Sequence, residues 1–416
     1  MKKLFCALLV LFSVFTLAAC GGEDEFKVGV ILVGDETEGY SLAHINGIKA
    51  AAKKLDVPEE NIVWKEMIHE DDTCATAANE LVAAGCDVIF SNSYGHQDYI
   101  HTVASQNQDV QFVAVTGDYA ALTGLDNYSN AFTYCFEARY VSGIVAGMKI
   151  KELVETEKLS ADNFDANNNV KVGYVGAFPY AEVVSGYTAF YLGIKSVYEN
   201  VVMDVQYTSS WFDLDKESQA AELLVNKGCV IIGQHADSTG APSKVQSLLD
   251  GGKVCYSVGY NIDMIPTAKT AALTSATNNW AVYYEYAIGQ AKKGEKIATN
   301  WAQGYMEDAV AITKLNTTCA EGTQTAVDNA IAAIKNGTLK VFNTNNFTVG
   351  GQKVTTVEID PTYYDFSTAT PTPIFTGDKF EAIVTENGIS YFAESVKRSA
   401  PYFGLRIDGI TELNNN

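Results

Sequence analysis

The feature that most constrains the fold of this chain is an internal repeat with an offset of about 143 residues. Residues 27–30 (KVGV) return as 171–174 (KVGY), and residues 81–90 (LVAAGCDVIF) return as 223–232 (LLVNKGCVII). This period far exceeds that of stacked solenoid repeats, so it predicts two similar lobes rather than an array. A chain of 416 residues is also too long for one ordinary core.

Strand-like and helix-like segments alternate within each copy of the repeat. Residues 27–33 and 111–115 are β-rich runs, and residues 41–55 have helical spacing. Such alternation predicts an α/β fold in which helices cover both faces of a parallel sheet. We therefore predict two doubly wound, Rossmann-like lobes joined by a hinge. Ligands of open α/β sheets bind at the carboxyl ends of the strands, so the functional side chains should follow the strands of both lobes.

The segments that follow the predicted strands are rich in aromatic rings, amides and carboxylates, and they contain no Lys or Arg. An anionic ligand would normally need a basic partner. Rings from the two lobes could instead sandwich a flat ligand, while carboxylates and amides bind its N–H groups and ring nitrogens. The candidate ligand-binding residues are Tyr40, His44, Tyr94, Glu137, Phe178, Trp211, Phe212, Asp237, Asn261, Asn279 and Trp280.

The first residues have the pattern of an export signal. Lys2 and Lys3 precede an apolar run at 4–17, which is too short to span a bilayer and ends in Leu-Ala-Ala-Cys20. That ending has the form of a bacterial lipobox, in which the cysteine thiol takes a diacylglycerol. We predict a signal peptide at 1–19, a lipid-anchored tether at 20–25, and a body on the extracytoplasmic face of the cell membrane.

Composition and motifs exclude several functions. The net charge of −21 does not suit a partner with a phosphate backbone, so we predict no nucleic-acid partner. No GxSxG, HExxH, P-loop or GxGxxG motif occurs. His44, His235 and Asp237 have no activated Ser or Cys beside them at a strand-to-helix elbow. We predict a monomer that is not an enzyme and holds no metal or cofactor.

The cysteines leave two interpretations open. Six of them follow Cys20, namely Cys74, Cys86, Cys135, Cys229, Cys255 and Cys319. An even number outside the cytoplasm is compatible with disulfides. Three of the six lie beside or within apolar strand-like runs, where a thiol behaves as a small hydrophobic group, and no CxxC spacing occurs. We favour free buried thiols, with disulfides as the alternative.

Several long motifs of the chain together resemble those of a known protein family. They are 38–47 (EGYSLAHING), 91–95 (SNSYG), 137–143 (EARYVSG), 173–179 (GYVGAFP), 182–186 (EVVSG), 210–217 (SWFDLDKE) and 234–238 (QHADS). Through them the chain resembles the BMP or PnrA-like family of substrate-binding lipoproteins that serve ABC importers, and within it the purine-base subgroup. The resemblance covers roughly residues 26–310.

The resemblance implies two type I periplasmic-binding lobes joined by a three-strand hinge, a small-molecule ligand and an ABC permease as partner. It implies that Tyr40 and Trp211, from opposite lobes, stack on a base. Nucleoside-binding members have an aspartate near the position of Asn261 and a lysine that residues 273–280 (LTSATNNW) lack. These departures favour a free purine base over a nucleoside. A protein that binds another aromatic or sugar-like molecule is the first alternative, and a nucleoside hydrolase is the second.

The lobe boundaries and the C-terminal part complete the prediction. We assign 26–130 and about 276–305 to lobe 1, and 131–275 and about 306–416 to lobe 2. From about residue 323 the chain departs from the usual family length. Residues 340–342 and 402–409 look like closing strands, and the Thr-rich insertion between them suggests a surface hairpin or a docking element for a partner.

Overall fold

Two mainly parallel β-sheets organise the computed structural model, which describes residues 25–365 and 370–414. The predicted signal peptide and Cys20 lie outside the described residues. The strands, in chain order, are β1 (Val28–Ile31), β2 (Ile62–Lys65), β3 (Val88–Ser91), β4 (Gln111–Val115), β5 (Tyr128–Thr133), β6 (Val170–Gly176), β7 (Val201–Tyr207), β8 (Ile231–His235), β9 (Tyr256–Tyr260), β10 (Ala272–Asn278), β11 (Asn300–Gln303), β12 (Val310–Ile312), β13 (Glu358–Ile359), β14 (Tyr363–Asp365), β15 (Thr372–Phe375), β16 (Phe380–Glu381), β17 (Ile383–Glu386), β18 (Ile389–Phe392) and β19 (Ile410–Glu412).

The helices cover both faces of each sheet. They are α1 (Gly39–Lys54), α2 (Asp72–Ala83), α3 (Gln97–Gln106), α4 (Ala120–Thr123), α5 (Cys135–Glu155), α6 (Ala181–Lys195), α7 (Leu214–Asn226), α8 (Gly240–Asp250), α9 (Trp280–Lys292) and α10 (Thr323–Lys335). Within the described ranges, no helix has the length and apolar character needed to cross a bilayer.

The two sheets repeat one topology, which confirms the predicted α/β fold. The first sheet has the order β11-β5-β4-β3-β1-β2, and the second has the order β12-β10-β9-β8-β6-β7-β19. All pairs are parallel except β10 with β12. The inner strands are buried along their whole length, as in β3 and β8, because helices pack on both of their faces. This explains why these strands read as continuous apolar runs.

Three segments cross between the lobes and form the hinge. They run from β5 into α5, from β10 into α9, and from β11 into β12. Thr133 Oγ1 donates to Asn278 Oδ1 at 2.5 Å, and the Tyr134 N–H donates to the Gln303 carbonyl at 2.7 Å. The crossings are therefore bonded to one another. β5 ends at Thr133, so the first crossing lies slightly beyond the predicted boundary at 130.

The C-terminal part differs from the sequence prediction. Residues 340–342 and 402–409 were expected to be closing strands, but both are irregular, and the closing strand is β19, which pairs with the edge of β7. Phe342 and Phe403 instead stack on each other, with ring centroids 4.3 Å apart, in the core of lobe 2. The apolar residues at those positions pack in the core and do not form strands that pair with a sheet. Between them lie three antiparallel pairs, β13–β16, β14–β15 and β17–β18.

The six cysteines that follow Cys20 are free, as favoured. Five are buried, and Cys319 is partly exposed. Burial raises the pKa of the Cys255 thiol, and also that of Cys229, to about 12, so both remain protonated. They act as small packing groups in lobe 2.

Candidate ligand site

A cavity of about 510 Å³ lies between the lobes, at the carboxyl ends of both sheets. Lobe 1 lines it with the segments after β1, β2, β3 and β4, and lobe 2 with β9 and the segments after β6, β7 and β8. The lobes approach closely here, since a Cβ atom at Gly39 would lie 3.3 Å from Ile262 Cδ1 and 3.5 Å from the Asp237 carbonyl. Glycine at this position thus permits the closed arrangement.

The wall from lobe 1 is built around Tyr40. Its hydroxyl donates to the Asn92 carbonyl at 2.5 Å, and its ring lies edge-on to His44 at 4.5 Å. His44 in turn stacks on Trp280 at 4.4 Å, and its Nδ1 lies 2.7 Å from the Tyr284 hydroxyl. Burial lowers the pKa of His44 to about 3, so this residue supports Tyr40 as a neutral ring. The predicted residues His44 and Trp280 therefore lie behind the cavity wall.

The wall from lobe 2 is an aromatic cluster. Phe178 stacks on Tyr180 with centroids 5.2 Å apart, and Trp211 meets Phe178 edge-on at 5.4 Å. Phe212 also lines the cavity but is 41% exposed. Tyr94 of lobe 1 reaches across to Tyr180, with centroids 6.4 Å apart. The structure thus brings Phe178, Trp211, Phe212 and Tyr94 to one cavity.

A buried carboxyl group lies at the lobe 2 wall. Asp237 is 7% exposed, its N–H donates to the Trp211 carbonyl at 2.8 Å, and its Oδ1 accepts from Asn261 Nδ2 at 2.7 Å. Burial, followed by the nearby Glu38, Glu217 and Glu182, raises the pKa of Asp237 well above its usual value. Asn261 does not line the cavity and instead orients Asp237 from behind.

Glu182 is a second carboxyl group on this wall. Its Oε1 lies 3.2 Å from His235 Nε2. Burial, partly offset by the Arg139 charge, raises the pKa of Glu182 to about 7. Arg139 is itself buried under Tyr260, with its guanidinium carbon 3.7 Å from the ring centroid. Burial lowers the pKa of His235 well below its usual value, so His235 is neutral.

The cavity is acidic and has no basic Lys or Arg side chain among the described residues that line it. Its carboxylates are Asp35, Glu38, Glu70, Glu182 and Asp237. Throughout the described part of the chain, the cavity included, His, Cys, Asp and Glu do not gather in groups of three or more suited to a metal ion. The site therefore fits an uncharged or cationic ligand that donates hydrogen bonds.

Besides His44, Trp280 and Asn261, two further predicted residues do not line the cavity. Glu137 faces a separate cavity of about 230 Å³ behind the hinge, where its Oε2 accepts from the Tyr305 N–H at 2.7 Å. Asn279 donates to the Asp308 carbonyl at 2.9 Å on the second crossing. Both residues follow a strand, but each of those strands leads into a hinge crossing rather than into the cleft.

Most of the lining residues were not among the predicted site residues, and they include the carboxyl groups of Asp35, Glu38, Glu70 and Glu182. Asp35 and Glu38 lie between β1 and α1, Glu70 lies between β2 and α2, and Glu182 lies in the first turn of α6. All of them follow a strand, so a search that covers each whole segment from a strand through the first turn of the next helix would have included them.

Two similar parallel-sheet lobes, three crossings and a cleft lined from both sides define the type I periplasmic-binding fold. The model of the family described as "ABC transporter substrate-binding protein PnrA-like" matches residues 27–345, and the chain belongs to this family. It is therefore a substrate-binding protein with a small-molecule ligand and a permease partner, not an enzyme, as predicted.

Relatives and solved structures agree with this assignment. The chain is 29% identical over 325 residues to a purine-binding protein of Brucella abortus, covering 78% of this chain and 85% of that one. It is 28% identical over 246 residues to a putative ABC transporter glucose-binding protein of Haloferax volcanii, covering 59% and 56%. The structure of an ABC transporter solute-binding protein from Aeropyrum pernix K1 superposes with a TM-score of 0.62 at 14% identity, covering 76% and 93%, which shows the shared fold.

Proposed function

We propose that this protein captures a purine base, or a related nucleoside, between its two lobes and delivers it to its ABC permease. The observation that carries the proposal is the composition of one cavity: Tyr40 and Trp211 line it from opposite lobes, and Asp237 lines it as a buried hydrogen-bonding group. The name of the Brucella relative supports a purine ligand. The name of the Haloferax relative keeps a sugar as the alternative.

The chemistry of a purine matches these groups. Its flat faces stack on aromatic rings, and stacking contributes about 1–3 kcal/mol per base. Its edge presents N–H donors and ring nitrogens, to which a carboxyl group can bind in either protonation state. A volume of about 510 Å³ lies within the usual range of small-molecule sites. The lack of Lys and Arg among the described lining residues disfavours nucleotides, which carry phosphate.

Isothermal calorimetry of the purified protein with adenine, guanosine and ribose tests the proposal. We expect heat and saturation with adenine, guanosine or both, and no saturation with ribose. Saturation with ribose alone would exclude the purine and favour the sugar alternative. Incubation with guanosine, followed by chromatography for free guanine, tests for hydrolysis in the same samples.

We further propose that the mature protein is a monomer held on the membrane by a lipid on Cys20. The Leu-Ala-Ala-Cys ending and the apolar run before it support the anchor. Replacing Cys20 with Ala should move the protein from the membrane fraction of the cell to a soluble fraction. Light scattering of that soluble variant, eluted from a sizing column, should give the mass of one chain, and a mass of two chains would exclude the monomer.

A further inference from the structure

The C-terminal extension contacts both lobes. The family model ends at residue 345, and the described chain continues through 365 and from 370 to 414. On lobe 2, Phe403 packs against Phe342, and Ala382, Phe392 and Tyr402 join the same apolar core. The extension is therefore integrated into lobe 2 by burial of its apolar side chains.

The same extension also packs on lobe 1. Tyr363 and Phe375, on the β14–β15 pair, lie with ring centroids 4.5 Å and 5.0 Å from that of Tyr119, beside α4. The Tyr363 hydroxyl donates to Asp98 Oδ2 on α3 at 2.8 Å. Aromatic contacts of this kind are more specific than a loose surface contact. We call residues 358–365 and 370–403 the interlobe strap.

An ion pair connects the strap to the cleft. Arg398 Nη1 lies 3.2 Å from Asp118 Oδ2, and these side chains are only 20% and 13% exposed. The same Asp118 oxygen accepts from the Tyr94 hydroxyl at 3.4 Å. Tyr94 lines the cavity and faces Tyr180 of the other lobe. A chain of contacts thus runs from Arg398 to a ring at the ligand site.

We propose that the interlobe strap holds the lobes closed beside Tyr94, and that Arg398 is a positioning residue that acts on Tyr94 through Asp118. Because the strap is packed into lobe 2, rotation of lobe 1 away from it must separate Arg398 from Asp118 and Tyr363 from Tyr119. Opening of the cleft therefore depends on contacts outside the hinge. The contacts of the strap with lobe 1 are made in the closed state and lost in the open state, so they favour the closed state.

Hydrogen exchange of the purified protein without ligand tests the strap directly. Arg398→Gln should raise exchange about tenfold in peptides that cover 93–97 and 118–122, because the local opening becomes easier. Lys397→Gln is the matched control: it removes the same charge from the neighbouring exposed residue and should leave those peptides unchanged. Asp118→Asn should reproduce the effect from the other side of the pair. Equal exchange in the wild type and both pair variants, or a uniform rise over the whole chain, would overturn the proposal.

A second measurement tests the link to the ligand and rests on the proposed function. Arg398→Gln should speed dissociation of adenine by about 3- to 30-fold, the range of a partly buried ion pair. In a Tyr94→Phe background, which lacks the hydroxyl that bonds to Asp118, most of that effect should disappear. If the Arg398 effect is the same size in both backgrounds, the positioning role is refuted. If adenine does not bind the wild type, the purine proposal fails, while the exchange experiment still decides the strap.

Discussion

The two walls of the cleft differ in how they are built. On lobe 1, Tyr40 is fixed by a hydrogen bond to the Asn92 carbonyl and supported by the buried His44 and Trp280. On lobe 2, the aromatic rings are more exposed, with Tyr180 at 50%, and they surround the buried carboxyl groups. Lobe 1 thus presents a preformed aromatic face with the carboxylates of Asp35, Glu38 and Glu70 around it, and lobe 2 presents Asp237 within an aromatic cluster. Substitutions on lobe 2 should therefore affect affinity most, and those on lobe 1 should affect mainly stability.

The largest effect should come from Asp237→Asn. The change removes a buried hydrogen-bonding group of the lobe 2 wall and presents an amide to groups arranged for a carboxyl. Loss of a hydrogen bond to such a group should weaken binding by about 2–3 kcal/mol. Calorimetry with adenine measures this loss, and Asp215→Asn, at an exposed position on α7, serves as control. Unchanged affinity would exclude Asp237 from recognition and remove the main difference between the walls.

Trp211→Ala should have the next largest effect. A ring that stacks on a base contributes about 1–3 kcal/mol to binding, and the ring is already present in the cavity wall. The control is Trp64→Ala, because Trp64 lies half-buried on β2 and outside the cavity. We expect a loss of adenine affinity in the first variant and none in the second. Similar affinities in both would show that the aromatic cluster of lobe 2 closes the cleft without stacking on the ligand.

Glu182→Gln tests whether ionisation of a carboxyl group on the lobe 2 wall lowers the free energy of unfolding. Burial raises the pKa of Glu182 to about 7, so the folded protein holds this proton more tightly than the unfolded chain does. Its stabilising contribution is present at low pH and is lost as the pH rises from about 4.5 through 7. Since Gln does not ionise, the variant should be more stable than the wild type by about 1–2 kcal/mol at pH 8 and equal to it at pH 4.

Thermal unfolding across this pH range measures the Glu182 effect. Glu199→Gln, at an exposed position, is the control and should leave the pH dependence unchanged. A Glu182→Gln variant that is less stable than the wild type at pH 8 would mean that the ionised carboxylate is stabilised by its neighbours. Ionisation of Glu182 would then not lower the free energy of unfolding.

The fold followed from the sequence because burial imposes a pattern on the residues. The repeated KVGV and LVAAGCDVIF segments became β1, β3 and their counterparts β6 and β8 because inner parallel strands need apolar side chains on both faces. The C-terminal part gave no such signal. Its short antiparallel pairs follow no long period, and Phe342 and Phe403 pack as a stacked pair far apart in sequence. Their contact depends on tertiary packing that local patterns do not encode.

Site residues that follow inner strands ending at the cleft could be predicted from the sequence. Residues that follow a strand leading into a hinge crossing could not. Tyr40 and Asp237 follow inner strands, which end at the cleft. Glu137 follows β5, which also has an inner position, but the chain leaves β5 to cross into lobe 2 and takes Glu137 behind the hinge. Sequence alone does not tell which strand ends lead into crossings. The interlobe contact of Arg398 with Asp118, which are 280 residues apart, lies further beyond local inference.

Tyr40→Phe should have the smallest effect and completes the comparison of the walls. The substitution removes only the hydroxyl that donates to the Asn92 carbonyl, a bond made entirely within lobe 1. We expect a loss of about 0.5–1.5 kcal/mol in the free energy of unfolding, the usual contribution of one hydrogen bond. Adenine affinity should change less than about threefold, because the ring keeps its edge contact with His44 and its stacking face.

The matched control for Tyr40→Phe is Tyr99→Phe, which removes a hydroxyl from α3 of the same lobe and away from the cavity. Urea unfolding and calorimetry on both variants separate stability from affinity. If Tyr40→Phe weakens binding more than Trp211→Ala does, the hydroxyl takes part in recognition through the Asn92 loop. Lobe 1 would then be the discriminating wall, and the assignment of a preformed role to lobe 1 and a selective role to lobe 2 would have to be reversed.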